Sequence, residues 1–131
     1  MSELTALRDM MPFALKLGIE LETATPELVS GRLPWAEDLC TTGGLLHGGA
    51  LMALADTLGG VCAFLNLPEG AGTATISSST SMLRAVRQGI VVGEARPLHV
   101  GRSVIAVQTS LLDCDQRLVA QVAQAQAVLA G

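Results

Sequence analysis

Residues 45–60, LLHGGALMALADTLGG, set a single acid, Asp56, inside an apolar run that opens with His47-Gly48-Gly49. An ionised carboxylate is costly to bury unless it is paired or hydrogen-bonded. Asp56 therefore either bonds to a backbone amide or a nearby hydroxyl such as that of Thr57, or it faces a ligand cleft. In a cleft it can attack a carbonyl carbon, or take a proton from a water that does so. The His-Gly-Gly at the start of the run marks a helix beginning. Free N–H groups point outward there, the helix dipole is positive, and glycine lets a ligand come close to the backbone. His47 fits either a structural position at that helix start or a direct role in proton transfer. A Ser-His-Asp triad is not expected, because Ser77 to Ser81 lie in a strand-like run without the G-x-S-x-G turn. A metal is not expected either: Cys40, Cys62 and Cys114 are far apart in sequence and form no ligand cluster with His47 or His99. The odd number and wide spacing of the cysteines suit reduced thiols in a cytoplasm, with Cys62 in the core.

The elements that must hold these groups follow from periodicity. Residues 3–15 predict a short helix, with Leu4, Leu7 and Met11 at helical spacing. Ile19 and Leu21, then Leu28, Val29 and Leu33 beyond Pro26, predict two strands around a turn. Residues 36–46 read as a loop. The run 47–65 is too long and continuous for a strand and predicts a helix, apolar and hence buried on every side. NLPEGAG at 66–72 stops it. Four strand-like segments follow, TATISSSTSMLRAV, QGIVVGEARPL, SVIAVQTSLLD and RLVAQVAQAQAVLA, separated by Gly89, HVGR and CDQ. In the last, Ala and Gln favour helix while the alternation allows strand. One long helix against one antiparallel sheet predicts a two-layer α+β domain over residues 1–131.

Half of the 131 residues are hydrophobic, yet the only aromatics are Phe13, Trp35 and Phe64. Such a chain is expected to bury further surface against copies of itself. The net charge of −4 and the scarcity of rings argue against nucleic acid. The segment 48–67 approaches the length of a membrane span, but Asp56 near its centre would cost about 3 kcal/mol on insertion scales. No membrane partner is expected, and the acidic, non-basic start has no signal-peptide pattern.

Together, GLLHGGALMALADTLGG, SMLRAVRQG and ARPLHVGRS resemble the hotdog-fold acyl-CoA thioesterases. The nearest branch includes the phenylacetate-pathway, 4-hydroxybenzoyl-CoA and 1,4-dihydroxy-2-naphthoyl-CoA enzymes. The resemblance covers about residues 15–130. It implies a curved antiparallel sheet wrapped around one long central helix, paired edge to edge into a homodimer and often into a homotetramer. It also implies that the Gly48 amide polarises the thioester carbonyl, that Asp56 is nucleophile or general base, and that His47 shapes the pocket. Thr41 stands where relatives carry Asn or Gln. Thr57 matches a hydroxyl residue of the family, whereas Gly60 and Met82 replace Ser and His of close relatives. Gly49, Met52, Val61 and Thr75 join these as expected substrate contacts, and Leu58 is a further expected pocket residue. Arg84, Arg87 and Arg102 are candidates for the CoA phosphates, because Arg forks suit phosphate oxygens. His99, Val100 and Gly101 match a loop that lies along CoA. Coenzyme A enters as part of the substrate, and no other cofactor is implied.

Gly48 and Asp56 lie eight residues apart on one helix, roughly 12 Å at 1.5 Å per residue. Attack needs reacting atoms about 3–3.5 Å apart. Either the two groups serve different purposes, or Asp56 of one protomer meets Gly48 of another across antiparallel helices. The leading expectation is a homo-oligomeric acyl-CoA thioesterase. The alternative is a non-catalytic acyl-CoA binding or sensing module on the same fold. A hotdog dehydratase fits less well, because its acid is placed differently.

Overall fold

The structure, a computed structural model, describes residues 2–131. It begins with two short helices, α1 (Glu3–Asp9) and α2 (Pro12–Leu17). The single helix expected over 3–15 is thus broken. Pro12 has no N–H to continue the ladder and instead takes a first-turn position in a new helix. Gly18 closes α2 at a φ of 85°, a left-handed conformation that glycine adopts without strain.

Strands β1 (Glu20–Ala24) and β2 (Val29–Pro34) pair antiparallel, as expected. A short 3-10 turn at Glu37–Leu39 and a bridge between Cys40 and Leu46 shape the loop that follows. The long helix is α3 (Gly48–Leu65). Then come β3 (Gly72–Met82), β4 (Ile90–Val100), β5 (Val104–Leu112) and β6 (Leu118–Leu129). The six strands form one antiparallel sheet in the order β1-β2-β4-β5-β6-β3. α3 touches all of them. Six strands spaced about 4.8 Å apart are roughly twice as wide as a helix, so the sheet has to curve around α3 to reach it from both edges.

Two sequence boundaries move, and one ambiguity is resolved. The segment expected as a strand to Val86 leaves the sheet after Met82, its last links being the Leu83 and Arg84 N–H groups on the Val119 carbonyl. His99 and Val100, expected in a connection, belong to β4. The turn itself is closed by the Gly101 N–H on the Val104 carbonyl. The ambiguous last segment is a strand, because pairing with β3 and β5 on its two sides outweighs the helix preference of Ala and Gln.

The expectation that α3 is buried on every side is also corrected. Leu51, Leu54, Ala55, Leu58 and Cys62 are buried against the sheet. Met52, Asp56 and Phe64 are exposed, and Ala53, Thr57 and Gly60 are half-buried between them. This helical spacing leaves one open stripe on the protomer. The same geometry corrects Leu58, expected in a pocket: it is fully buried. It fits over two glycines that pair across β2 and β4, Gly31 and Gly93. A Cβ on Gly93 would lie 2.5 Å from Leu58 Cδ1, and one on Gly31 would lie 2.9 Å from Leu58 Cδ2. The missing side chains let α3 settle close to the sheet. Cys62 lies in the core as expected, and burial pushes its thiol up to about 11.

Gly31→Ala tests this close approach. Its Cβ would also meet the Glu20 carbonyl oxygen at 2.6 Å, and backbone there cannot yield easily. The expected loss is about 1–3 kcal/mol, the range for overpacking. In urea denaturation it should appear as a lower midpoint with an unchanged slope.

Candidate active site

Asp56 stands on the open stripe of α3, exposed in the protomer rather than buried as its apolar surroundings in sequence suggested. Its Oδ1 accepts from Gln124 Nε2 at 2.7 Å and from Thr75 Oγ at 3.1 Å. The donors therefore come from β6 and β3, not from a backbone amide or from Thr57. Among the described residues Oδ2 has no protein partner, and no cation pairs with the carboxylate. Neutral donors hold one oxygen and leave the other available for chemistry.

The donors are organised by sheet register. Thr75 pairs with Gln126 across β3 and β6, so both side chains point toward α3. Gln124 lies two residues away, on the same inner face. The Thr75 hydroxyl is 3.0 Å from Gln126 Oε1 as well as within reach of Asp56. One hydroxyl hydrogen cannot serve two acceptors. Given to Asp56, it leaves Thr75 Oγ to accept, and turning the Gln126 amide over lets its otherwise unpartnered Nε2 donate there. Gln124 and Gln126 were missed in the sequence. Their signal was the alternation of Gln with Ala in QAQA, which points polar groups inward once the segment is known to be a strand.

Two clefts meet at Asp56. One, of about 450 Å³, lies between α3 and the N-terminal helices, with Leu7, Met11, Phe13, Thr57, Gly60 and Val61 among its walls. The other, of about 320 Å³, is lined by Gly49, Met52, Ala53, Thr75 and Ser78. These positions include the expected Thr57, Gly60, Val61, Thr75, Gly49 and Met52.

At the helix start, His47 is the N-cap: its backbone is extended and its Nδ1 accepts from the Gly49 N–H at 2.8 Å. A ring nitrogen that accepts carries no proton, so in the neutral ring the proton sits on Nε2. The Gly48 N–H meets no protein acceptor among the described residues. It opens on a separate cleft of about 380 Å³ that includes Thr41, Leu51, Met82 and Arg84.

Gly48 and Asp56 thus occupy different clefts, at opposite ends of the sheet. Met82 pairs with Ala120, Ala120 with Leu111, and Leu111 with Gly93. Thr75 pairs with Gln126, Gln126 with Ile105, and Ile105 with Val100. Along β6 the two rows are about 20 Å apart. Arg84 and Arg87 therefore belong to the Gly48 end, where the Val86 carbonyl accepts from the Leu46 N–H. His99, Val100, Gly101 and Arg102 belong to the Asp56 end. The two groups of expected CoA contacts do not come together within one chain. Arg8, Arg32, Arg96 and Arg117 each pair with a carboxylate, whereas Arg84, Arg87 and Arg102 pair with none among the described residues.

With this geometry in place, comparison with known proteins is informative. Residues 43–120 match the model of the thioesterase superfamily. Over 86 residues the chain is 41% identical to the proofreading thioesterase EntH of Cronobacter turicensis, a match that spans 66% of this chain and 63% of that one. The fold superimposes on the thioesterase HI1161 of Haemophilus influenzae with a TM-score of 0.92 at 26% identity, covering 99% of this chain and 92% of the other. A variant of the thioesterase PA1618 of Pseudomonas aeruginosa gives a TM-score of 0.91 at 26% identity, covering 98% and 94%.

The cap has its own test. His47→Ala removes the acceptor for the Gly49 N–H and should cost about 1 kcal/mol, the typical value of a helix cap, read as a lower denaturation midpoint. His47→Asn, another good cap, should recover most of the loss.

Proposed function

The chain belongs to the thioesterase superfamily and is a thioester hydrolase of the hotdog fold; from that premise we propose that it hydrolyses acyl-CoA thioesters at sites shared between two protomers. The observation that carries this reading is a division of labour. The free Asp56 Oδ2 and the unbonded Gly48 N–H lie in separate clefts of one chain. A second copy with its α3 antiparallel brings the Gly48 end of one protomer to the Asp56 end of the other. β3 supports such pairing. It is an edge strand of 11 residues with Ser77, Ser78 and Ser79 exposed, and a long open edge invites a partner strand. The open stripe of α3 would be covered in the same step. Two such dimers pairing again would make the expected tetramer.

In this site the thioester carbonyl oxygen receives the Gly48 N–H at the positive end of α3. Asp56 Oδ2 takes a proton from a water whose oxygen bonds to the acyl carbon, or bonds to that carbon itself and is freed by a later water. As the tetrahedral intermediate collapses, the C–S bond breaks and its electron pair leaves on the CoA sulfur. Thr41 and the His47 Nε2–H stand beside the Gly48 end, and Thr57 beside the acid. The apolar cleft between α3 and the N-terminal helices suits an apolar acyl group, with an aromatic acyl favoured by the family resemblance. Arg84 and Arg87, and Arg102 just beyond the end of β4 at His99 and Val100, offer two unpaired basic sites for CoA phosphates. CoA arrives with the substrate, and no further cofactor takes part. Three free thiols fit work in a reducing cytoplasm.

Thiol release from a panel of aromatic and aliphatic acyl-CoAs tests the proposal. The wild type should turn over at least one substrate, and folded Asp56→Asn should lose about a hundredfold or more in kcat, the scale of a positioned catalytic group. Equal rates in both proteins would remove Asp56 from the mechanism. Arg84→Ala should raise KM for the acyl-CoA and leave kcat unchanged. With the matching N-acetylcysteamine thioester, which has no phosphates, its KM should equal that of the wild type. A KM unchanged for the acyl-CoA would exclude Arg84 from phosphate binding.

A further inference from the structure

We infer that Gln124 is a positioning residue for the catalytic carboxylate, and that Gly59 is kept free of a side chain to make room for it; this rests on the role proposed for Asp56. Gln124 is 4% exposed, on the inner face of β6. Its Nε2 donates to Asp56 Oδ1 at 2.7 Å, and its Oε1 is buried with no partner at all. Turning the amide over would give Oε1 no donor and would set two oxygens against each other at Asp56. The carboxylate therefore dictates the amide's orientation, and the orphaned oxygen is its consequence. A buried unpaired acceptor has a folding cost, and such a group is expected where function holds it in place.

Gly59 explains how the amide gets there. A Cβ at Gly59 would overlap Gln124 Oε1 and lie 3.1 Å from its Cδ. Glycine inside a helix is unfavourable by about 1 kcal/mol relative to alanine, so its presence three residues beyond Asp56 calls for a reason. Here the bare Cα of Gly59 lets the Gln124 amide pass across α3 and reach Asp56 from below. A longer polar side chain from the sheet, a notch in the helix and a carboxylate on its rim form one device. Gln124 fixes the Asp56 rotamer through Oδ1 while Oδ2 stays free. Thr75 supplies the second anchor from β3. Neither Gln124 nor Gly59 touches the reacting atoms, so both act on the rate of attack and not on substrate affinity.

The test is a cycle of Gln124→Ala, Gly59→Ala and the double variant, assayed with a turned-over acyl-CoA beside Asp56→Asn. Each single variant should lose about tenfold to a hundredfold in kcat, the range for a hydrogen bond to a charged group. KM should change by less than about threefold. The methyl of Gly59→Ala acts only by displacing the amide, so the double variant should be no slower than Gln124→Ala alone. A purely structural role would lower the melting temperature without this kcat pattern. If Asp56→Asn is inactive while folded Gln124→Ala and Gly59→Ala keep wild-type kcat, the positioning role is overturned and the role of Asp56 stands. If Asp56→Asn is as active as the wild type, the reading of Asp56 itself falls. Should Gln124→Ala not fold, Gly59→Ala decides alone: full activity overturns the inference, and a selective kcat loss supports it.

Discussion

A straight helix advances 1.5 Å per residue, and no side chain of aspartate length can undo eight residues of that advance. This limit governs the arrangement of α3. Its first free amide and its only acid serve different clefts of the same chain, roughly 20 Å apart in sheet register. On the proposed reading the protomer carries two half-sites, each incomplete. An antiparallel partner turns both defects into complete sites at once, because a twofold axis exchanges the two ends. In the proposed dimer the exposed stripe of α3 and the unpaired edge of β3 would be the surfaces on which the pairing is made.

Within each half-site, the sheet does the positioning. α3 lies close to β2 and β4 because Gly31 and Gly93 leave space for Leu58. That closeness brings the inner face of β6 and β3 within reach of the helix rim. Gln124 and Thr75 then hold Asp56 by one oxygen with neutral donors, and no cation pairs with the carboxylate among the described residues. At the other end, the His47 ring satisfies the Gly49 N–H and leaves the Gly48 N–H unspent. In both places a local hydrogen bond occupies one group and leaves its neighbour available.

Much of this was legible in the sequence. The apolar run 47–65 read as a long helix, and the three β-branched segments that follow it read as strands. The lone acid and the His-Gly-Gly stood out as the groups at the two ends of the candidate site. What stayed hidden depended on contacts between segments distant in sequence. Pro12 broke the first helix, though its position was visible and its consequence could have been read. The open stripe of α3 could not be seen, because Met52, Ala53, Gly60 and Phe64 are as apolar as the residues facing the sheet. Gln124 and Gln126 were masked by a segment whose Ala and Gln suit helix and whose alternation suits strand. Only the pairing of β6 with β3 and β5 decides between them. Arg84, Arg87 and Arg102 and the residues His99 to Gly101 were each candidates for CoA contact, and only the register shows that they fall at opposite ends of the sheet.

Sites shared between protomers are tested most directly by mixing two inactive chains. Gly48→Pro is a clean deletion of one N–H: position 48 begins α3, where proline is favoured, and His47 already has the extended backbone that precedes a proline (φ −63°, ψ 136°). Gly48→Pro and Asp56→Asn chains, differently tagged and co-expressed, give mixed dimers that can be isolated by both tags. If each site takes Gly48 from one chain and Asp56 from the other, the mixed dimer has one site with both changes and one with neither. It should recover about half of the wild-type kcat per dimer, far above either parent. A mixed dimer as inactive as its parents would show that each site is built within a single chain and would contradict the shared arrangement.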